Sequence, residues 1–293
     1  MNFVMLGLGF VSARHLQAIK DVGGNLLVAL DPHDAVGHLD KYFPNCNFFT
    51  EFERFDRHCE KLIREGICID YVSVCSPNYL HDAHCRFGLR LGASVICEKP
   101  LVTHPRNIGL LKDYEKGYSG KVNLILQLRY HEGLMNLKQQ LTQHPDNHTH
   151  VRLRYFTPRG NWYKYSWKAD KEKSGGVFMN IAVHFMDLFF SLFGELTLES
   201  YVEDNGLYKL ELKSSGAAIS AEFSIDSRFG LEKSLYIGDS YIDLASGFTD
   251  LHTKCYKEIV AGRGLGIDEA KPSLNICADI VQKALDGFNG GGG

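Results

Sequence analysis

Glu98-Lys99-Pro100 follows the apolar run Ser94 to Cys97, and a lysine at the end of a buried strand is well placed to work on a bound ligand. Its ammonium can hydrogen-bond a substrate hydroxyl and ease the developing alkoxide, with burial moving its pKa toward the useful range. A lone strand-end lysine is also an ordinary solvated charge, so the triplet gains weight only from what accompanies it. Ser174 to Asp187 opens an apolar helix on which Asn180 and His184 are four apart and Asp187 three further on, one polar stripe. Sugar hydroxyls would satisfy such a stripe, and the pKa of histidine suits it to take a proton as hydride leaves. The alternative for the same residues is a satisfied core histidine capped by Asp187.

Thr157 to Lys168 holds both tryptophans, Trp162 and Trp167, together with Arg159, Asn161, Tyr163, Lys164 and Lys168. Aromatic faces beside cations suit a loop that takes an anionic, ring-bearing ligand; an aromatic loop buried at a subunit contact has the same composition. His81-Asp82-Ala83-His84 has a spacing that would suit a metal, but it starts a predicted helix, where such a pair is often a polar face, and no third ligand is evident. No metal is expected.

Gly7-Leu8-Gly9-Phe10-Val11-Ser12 lies between a predicted strand and a predicted helix, the setting that gives a G-x-G-x-x-G-like run its meaning. Gly7 permits the tight turn, Gly9 lets a pyrophosphate approach the backbone at the helix N-terminus, and Ser12 stands where the third glycine would be. Asp31 ends the second predicted strand, where a carboxylate accepts from both ribose hydroxyls and repels a 2′-phosphate. Pro32-His33-Asp34 offers no Arg or Lys to compensate, so NAD is expected rather than NADP. The only Gly-Lys pair is Gly120-Lys121, which excludes a P-loop, and none of the 14 tyrosines has a lysine four residues later, which excludes the Tyr-x-x-x-Lys arrangement of short-chain dehydrogenases.

These residues need a scaffold. Apolar runs at Phe3 to Leu8, Leu26 to Leu30, Ile69 to Cys75 and Ser94 to Cys97 alternate with helical spacing, as in Phe52, Phe55, Cys59, Leu62 and Ile63. A fifth helix and strand follow, Pro105 to Lys116 and Lys121 to Leu128. That pattern predicts a doubly wound parallel (Rossmann) sheet. From about Val151 the chain reads as longer strands, Leu198 to Asp204, Tyr208 to Lys213, Ala217 to Asp226, Leu235 to Gly238 and Tyr241 to Ala245, joined in part by tight turns. An α+β domain with an open, mostly antiparallel sheet is expected there, entered by a helix from Gly176 to Phe193 and closed by helices near Thr249 to Ala261 and Ser273 to Asp286. The expected division is residues 1–122, residues 123–289 and a disordered glycine tail, 290–293. With 293 residues, 44% hydrophobic and 23% charged, disorder is excluded for most of the length. A net charge of −3 gives no field for nucleic acid or an anionic membrane. Eight cysteines without a C-x-x-C pair, several in apolar runs, indicate a reducing compartment. The apolar opening Met1 to Leu6 has no basic flank and is interrupted at Gly7, so the expected location is the cytoplasm.

In order and spacing, Gly7-x-Gly9, Asp31, Ser76-Pro77-Asn78, Glu98-Lys99-Pro100 and the Gly-Gly helix bearing His184 resemble the Gfo/Idh/MocA oxidoreductases over nearly the whole chain. More narrowly, Arg159 to Tyr163, Asn180 to His184, Gly247-Phe248-Thr249-Asp250-Leu251-His252 and Ala261-Gly262-Arg263-Gly264 look like the WlbA-type dehydrogenases of that family. The resemblance implies oxidation of the 3-hydroxyl of UDP-N-acetylglucosaminuronic acid by NAD, on the route to 2,3-diamino sugars of surface polysaccharide such as lipopolysaccharide. It implies Lys99 and His184 as the catalytic pair, with Lys99-Pro100 a cis peptide. It groups Gly7, Gly9, Phe10, Val11, Asp31, Ser76, Asn78 and Glu98 around the cofactor, and Lys99, Arg159, Asn161, Trp162, Tyr163, Asn180 and His184 around the UDP-sugar. It further implies a homotetramer joined through the open faces of the second sheets. Ser12 and a shortened region between Tyr201 and Gly247 depart from the family pattern. The competing expectations are a UDP-N-acetylglucosamine 3-dehydrogenase and a non-enzymatic NAD-binding regulator of the same fold, which would need neither Lys99 nor His184.

Overall fold

The structure, a computed structural model, describes residues 1–33, 36–143, 148–244 and 250–289. Asp34, Ala245, the run Gly247 to Thr249 and the tail Gly290 to Gly293, all of which carry expectations above, lie outside the described residues. The chain forms two units: residues 1–127 with 252–270, and residues 128–251 with 271–293. Residues 252–270 therefore pack with the first unit, which a single cut after residue 122 does not anticipate.

In the first unit, β1 (Asn2–Leu6), β2 (Asn25–Leu30), β3 (Asn47–Phe49), β4 (Tyr71–Val74), β5 (Ser94–Cys97) and β6 (Val122–Leu124) form a parallel sheet in the order β3-β2-β1-β4-β5-β6. This is the doubly wound order, reversing at β1 so that the strands' carboxyl ends flank one ligand-binding edge. Val4, Met5, Leu6, Val28, Val72, Val74, Val95 and Ile96 are buried, which accounts for strands that read as unbroken apolar runs. Helix Phe52–Arg64 turns Phe55, Cys59 and Leu62 inward, as its spacing predicts, while Ile63 on the same predicted stripe is exposed. The three-residue β3 escapes the sequence reading because a strand so short has no period to detect. The strand expected from Lys121 to Leu128 is shorter: after Leu124 the chain turns into a 3₁₀ helix, Gln127–Tyr130.

In the second unit, β7 (Thr149–Phe156), β8 (Thr197–Asp204), β9 (Leu207–Lys213), β10 (Ala217–Ser224), β11 (Glu232–Ile237) and β12 (Ser240–Asp243) lie in the order β12-β11-β7-β10-β9-β8. Only the β7–β10 pair among the described residues is parallel, and the rest of the sheet is antiparallel. Val151, Leu153, Leu210, Leu212, Ile219, Ala221 and Leu235 are buried, and their polar alternates are not. The β8–β9 hairpin turns at Asn205 (φ 50) and Gly206 (φ 85), the two positive φ values a primed turn requires. The stretch Lys171–Phe193 is long and apolar enough to cross a membrane by composition, but 61% of its most apolar window is buried inside the protein.

That stretch is not the single regular helix expected from Gly176 to Phe193. A short turn, Lys171–Ser174, is capped by the Asp170 side chain; Gly175 and Gly176 follow at φ 74 and 72; a π-helical turn spans Phe178–Ala182, and an α-helix runs from Val183 to Phe193. Asn180 thus sits in a π turn, a local geometry common at functional sites, and the α-helical register that would place residues four apart on one face does not run unbroken from Asn180 to His184. The last helix also starts earlier than expected, at Ile267, with Pro272 inside it.

Candidate active site

Gly7 closes the turn after β1 at φ 93, and its N–H donates to the Leu30 carbonyl at 2.7 Å. A Cβ there would meet the Cys75 carbonyl oxygen at 2.6 Å and Ser76 N at 2.7 Å, both backbone, so only glycine fits. Around Gly9 a Cβ would meet nothing within 4 Å, which leaves the open approach that a pyrophosphate needs. Ser12, at the third glycine position, is fully buried and donates its hydroxyl to the Gly9 carbonyl at 2.7 Å, so it fastens the loop to helix Ser12–Asp21. Phe10 is 87% exposed. Asp31 is buried and accepts from the backbone N–H of Leu8 (2.6 Å, Oδ2) and of His33 (2.9 Å, Oδ1), which ties the glycine loop to the end of β2. An open backbone approach at Gly9 beside a fixed carboxylate on the second strand fits a dinucleotide.

Glu98 and Lys99 leave the end of β5, and Lys99-Pro100 is cis. Glu98 is buried at the centre of a hydrogen-bond network. Its Oε1 accepts from His15 Nε2 (2.9 Å) and His252 Nε2 (3.0 Å), and its Oε2 from the Lys99 backbone N–H (3.2 Å). His15 Nδ1 lies 2.8 Å from the Tyr256 hydroxyl, which lies 2.8 Å from Ser73 Oγ. Burial pushes the Glu98 carboxyl up, but the hydrogen bonds from His15 and His252 outweigh it and hold the group well below the usual carboxylate range. Burial likewise keeps His15 below its ordinary value. An ionised Glu98 can only accept, so neutral His15 donates from Nε2, Tyr256 donates to His15 Nδ1, and Ser73 donates to Tyr256. The ligand atoms of His15, Glu98 and His252 lie within 4.8 Å of one another, close enough for a metal, yet donors and acceptors are matched as they stand. The Glu98 side chain, expected near the cofactor, is engaged by two histidines and holds the Lys99 backbone.

His81 and His84 are not the polar face suggested by their spacing. Both are buried: His81 Nε2 faces the Ser76 carbonyl at 2.8 Å and Nδ1 the Pro100 carbonyl at 2.7 Å, while His84 Nδ1 meets the Ser76 hydroxyl at 2.8 Å. Burial draws the His81 ring toward neutrality against the pull of those two carbonyls, and pushes His84 down to about 4. These histidines fasten the Ser76-Pro77-Asn78 segment to cis Pro100; Asn78 is itself buried at the start of the short helix Asn78–Leu80.

In the second unit, Tyr163 is buried and its hydroxyl is hydrogen-bonded to Asn180; burial raises its pKa and Arg159 opposes the rise. Arg159 Nε is buried without a hydrogen-bond partner among the described residues. Lys168 Nζ lies 5.6 Å from the ring centroids of both Trp162 and Trp167, and burial, with Arg159 nearby, lowers its pKa. Of the three cations in this loop, Arg159 and Lys168 thus share one partly desolvated surrounding, while Lys164, Asn161 and Trp162 are exposed. His184 is half-buried on the helix that follows the π turn. Asp187 does not cap it: the carboxylate is buried in a bidentate pair with Arg129, Nη2 to Oδ1 at 2.6 Å and Nε to Oδ2 at 3.0 Å. Arg129 lies 58 residues away, a pairing no local pattern announces.

Residues 1–124 match the model of the oxidoreductase family with an NAD-binding Rossmann fold, and residues 147–225 that family's C-terminal alpha/beta domain. The WlbA (WbpB) dehydrogenase from Thermus thermophilus, solved with NAD and alpha-ketoglutarate, is 40% identical with a TM-score of 0.90, covering 96% of this chain and 94% of that one. The WlbA dehydrogenase from Chromobacterium violaceum has the same fold at 18% identity and TM-score 0.79, over 98% and 94% of the two chains. Among curated relatives, D-glucoside 3-dehydrogenase of Escherichia coli is 27% identical over 55% of this chain, and glucose-6-phosphate 3-dehydrogenase of Bacillus subtilis 23% identical over 64%. The matched region spans about half of each of those two, 47% and 53%. The fold is a Rossmann unit followed by an α/β unit, in the order of the two matched family models, and the glycine loop lies within the NAD-binding one. The chain belongs to the Gfo/Idh/MocA oxidoreductase family.

Proposed function

We propose that the protein oxidises the 3-hydroxyl of UDP-N-acetylglucosaminuronic acid to the 3-keto sugar with NAD. The observation that carries this reading is the 40% identity, across 95% of this chain, to the Thermus thermophilus WlbA dehydrogenase solved with NAD and UDP-GlcNAcA. The partly buried Arg159 and Lys168 support a substrate with more negative charge than a neutral sugar brings, because the unmet Arg159 Nε needs an acceptor.

NAD supplies the hydride acceptor when bound. Gly7 and Gly9 would receive its pyrophosphate and Asp31 its adenine ribose; Ser76 and Asn78 would line the nicotinamide end, with Phe10 and Val11 beside the pyrophosphate. Lys99 donates a hydrogen bond to the reacting sugar oxygen and His184 takes the hydroxyl proton, so hydride leaves carbon 3, a proton leaves oxygen and a ketone remains. Asn180, Tyr163, Asn161 and Trp162 orient the sugar and its nucleotide. Asn180 is already fixed by Tyr163, so it meets the substrate with its rotamer set. The Thermus thermophilus complex with alpha-ketoglutarate supports a 2-oxo acid as the oxidant that regenerates NAD. A cytoplasmic homotetramer feeding an aminotransferase in surface-polysaccharide synthesis completes the proposal.

The test compares steady-state kcat/KM for UDP-N-acetylglucosaminuronate and UDP-N-acetylglucosamine. The acidic sugar is expected to be at least about tenfold better, since a neutral sugar leaves a buried cation unpaired at about 1 to 3 kcal/mol. Equal values would transfer the assignment to UDP-N-acetylglucosamine. Tight NAD binding without turnover of any UDP-sugar would favour the regulator.

A further inference from the structure

Gln127 stands outside every role assigned so far. β6 pairs with β5 as far as Leu124 opposite Cys97, the Ile125 N–H still donates to the Cys97 carbonyl at 2.9 Å, and Gln127 then opens the 3₁₀ helix Gln127–Tyr130. Gln127 and Glu98-Lys99-Pro100 therefore leave adjacent strands at the same carboxyl edge of the first unit's sheet. The side-chain oxygen Oε1 of Gln127 is buried and has no hydrogen-bond partner among the described residues. A buried carbonyl oxygen without a donor is uncommon in a folded protein and calls for a ligand group or a bound water to meet it. Its position narrows the choice. Asp31 directly follows β2, on one side of the sheet's reversal point, and on the NAD reading would take the adenosine half of the dinucleotide; the other half would then extend over β4, β5 and β6.

We infer that Gln127 binds the carboxamide of the nicotinamide ring, its Oε1 accepting from the carboxamide NH₂. A carboxamide is the complementary partner for a glutamine amide, since each carries both a donor and an acceptor. The contact would orient the ring, because the carboxamide is its only polar substituent, and so would set which face of the ring meets the sugar. This inference rests on the reading of the first unit as an NAD site.

The experiment measures binding by titration calorimetry for the unaltered protein and for Gln127→Leu, with NADH, ADP-ribose and the reduced 3-acetylpyridine analogue, in which a methyl group replaces the NH₂. Gln127→Leu should weaken NADH about five- to twentyfold and leave ADP-ribose unchanged, which also shows that the variant is folded. The unaltered protein should bind the acetylpyridine analogue more weakly than NADH, and the variant should bind the two alike. The melting temperature of the ligand-free variant should not fall, because the change removes an unmet polar atom. Equal NADH affinity in both proteins, or an equal loss for NADH and ADP-ribose, would overturn the contact. A variant that keeps NADH affinity but loses affinity for the UDP-sugar would reassign Gln127 to the substrate. If the unaltered protein bound no NADH at all, the cofactor would be lost and this contact with it.

Discussion

Asp31 accepts from Leu8 and His33 and still has lone pairs left over, so the side chain that shapes the glycine loop would, on the proposed NAD reading, also accept from the ribose hydroxyls. NAD should therefore bind at least about tenfold more tightly than NADP in calorimetric titration, since a 2′-phosphate would face a carboxylate fixed by two N–H groups. Asp31→Ala should narrow that ratio and also weaken NAD, because Leu8 N–H loses its acceptor; a variant with unchanged NAD affinity would remove the loop-shaping role. If Lys99 and His184 act as proposed, Lys99→Met and His184→Asn should each lower kcat by about two to four orders of magnitude. NAD affinity should hold within a fewfold, and near-normal turnover in either variant would make that residue structural.

The elements that carry these residues differ in how legibly the sequence announces them. Gly7 is legible, because a glycine after an apolar run and before a helix has a specific meaning, and the space for its Cβ is filled by the Cys75 and Ser76 backbone. Gly7→Ala should lower the melting temperature and weaken NAD by more than tenfold, with both the positive φ and the backbone overlap opposing it. Normal NAD binding by the alanine variant would mean that the loop relaxes freely. The buried strands β1, β2, β4 and β5 are legible because burial on both faces makes them unbroken apolar runs, whereas the short, partly exposed β3 is not. The π turn at Phe178–Ala182 was not, since inserting one residue into a helix leaves composition untouched and only shifts the register. The spacing of His81 and His84 suggests a polar face because spacing reports which side chains share a face and not what covers it. Their partners, Ser76 and Pro100, are brought together by the sheet. Arg129 with Asp187 and Glu98 with His252 are long-range pairs of the same kind, invisible without the fold.

Over the whole molecule, burying neutral histidines sets the response to acid. His15 and His84 titrate below their ordinary value of about 6.5, His84 at about 4, so between these limits the unfolded chain binds protons that the folded chain refuses. Their contribution is complete above about pH 6.5 and is lost as the pH falls toward 4, on the order of 3 kcal/mol for His84 alone. Glu98 adds a further loss only below about pH 4.3, the unfolded carboxyl's range, because its folded value is depressed. The melting temperature should start to fall near pH 6.5, and His84→Gln should flatten that slope; a plateau down to pH 4.5 would contradict it. The discontinuity of the first unit has a consequence of another kind. His252 and Tyr256 complete the surroundings of Glu98 and His15, and the Leu265 carbonyl accepts from the N–H of Leu124 on β6, yet all three belong to residues 252–270. On the ribosome, residues 1–127 emerge with these partners still unsynthesised, and at about 5 to 20 residues per second the wait is roughly six to thirty seconds. During that interval the nascent unit exposes an incomplete polar core to chaperones and proteases, so synthesis itself finishes the second unit's sheet before the first unit can close.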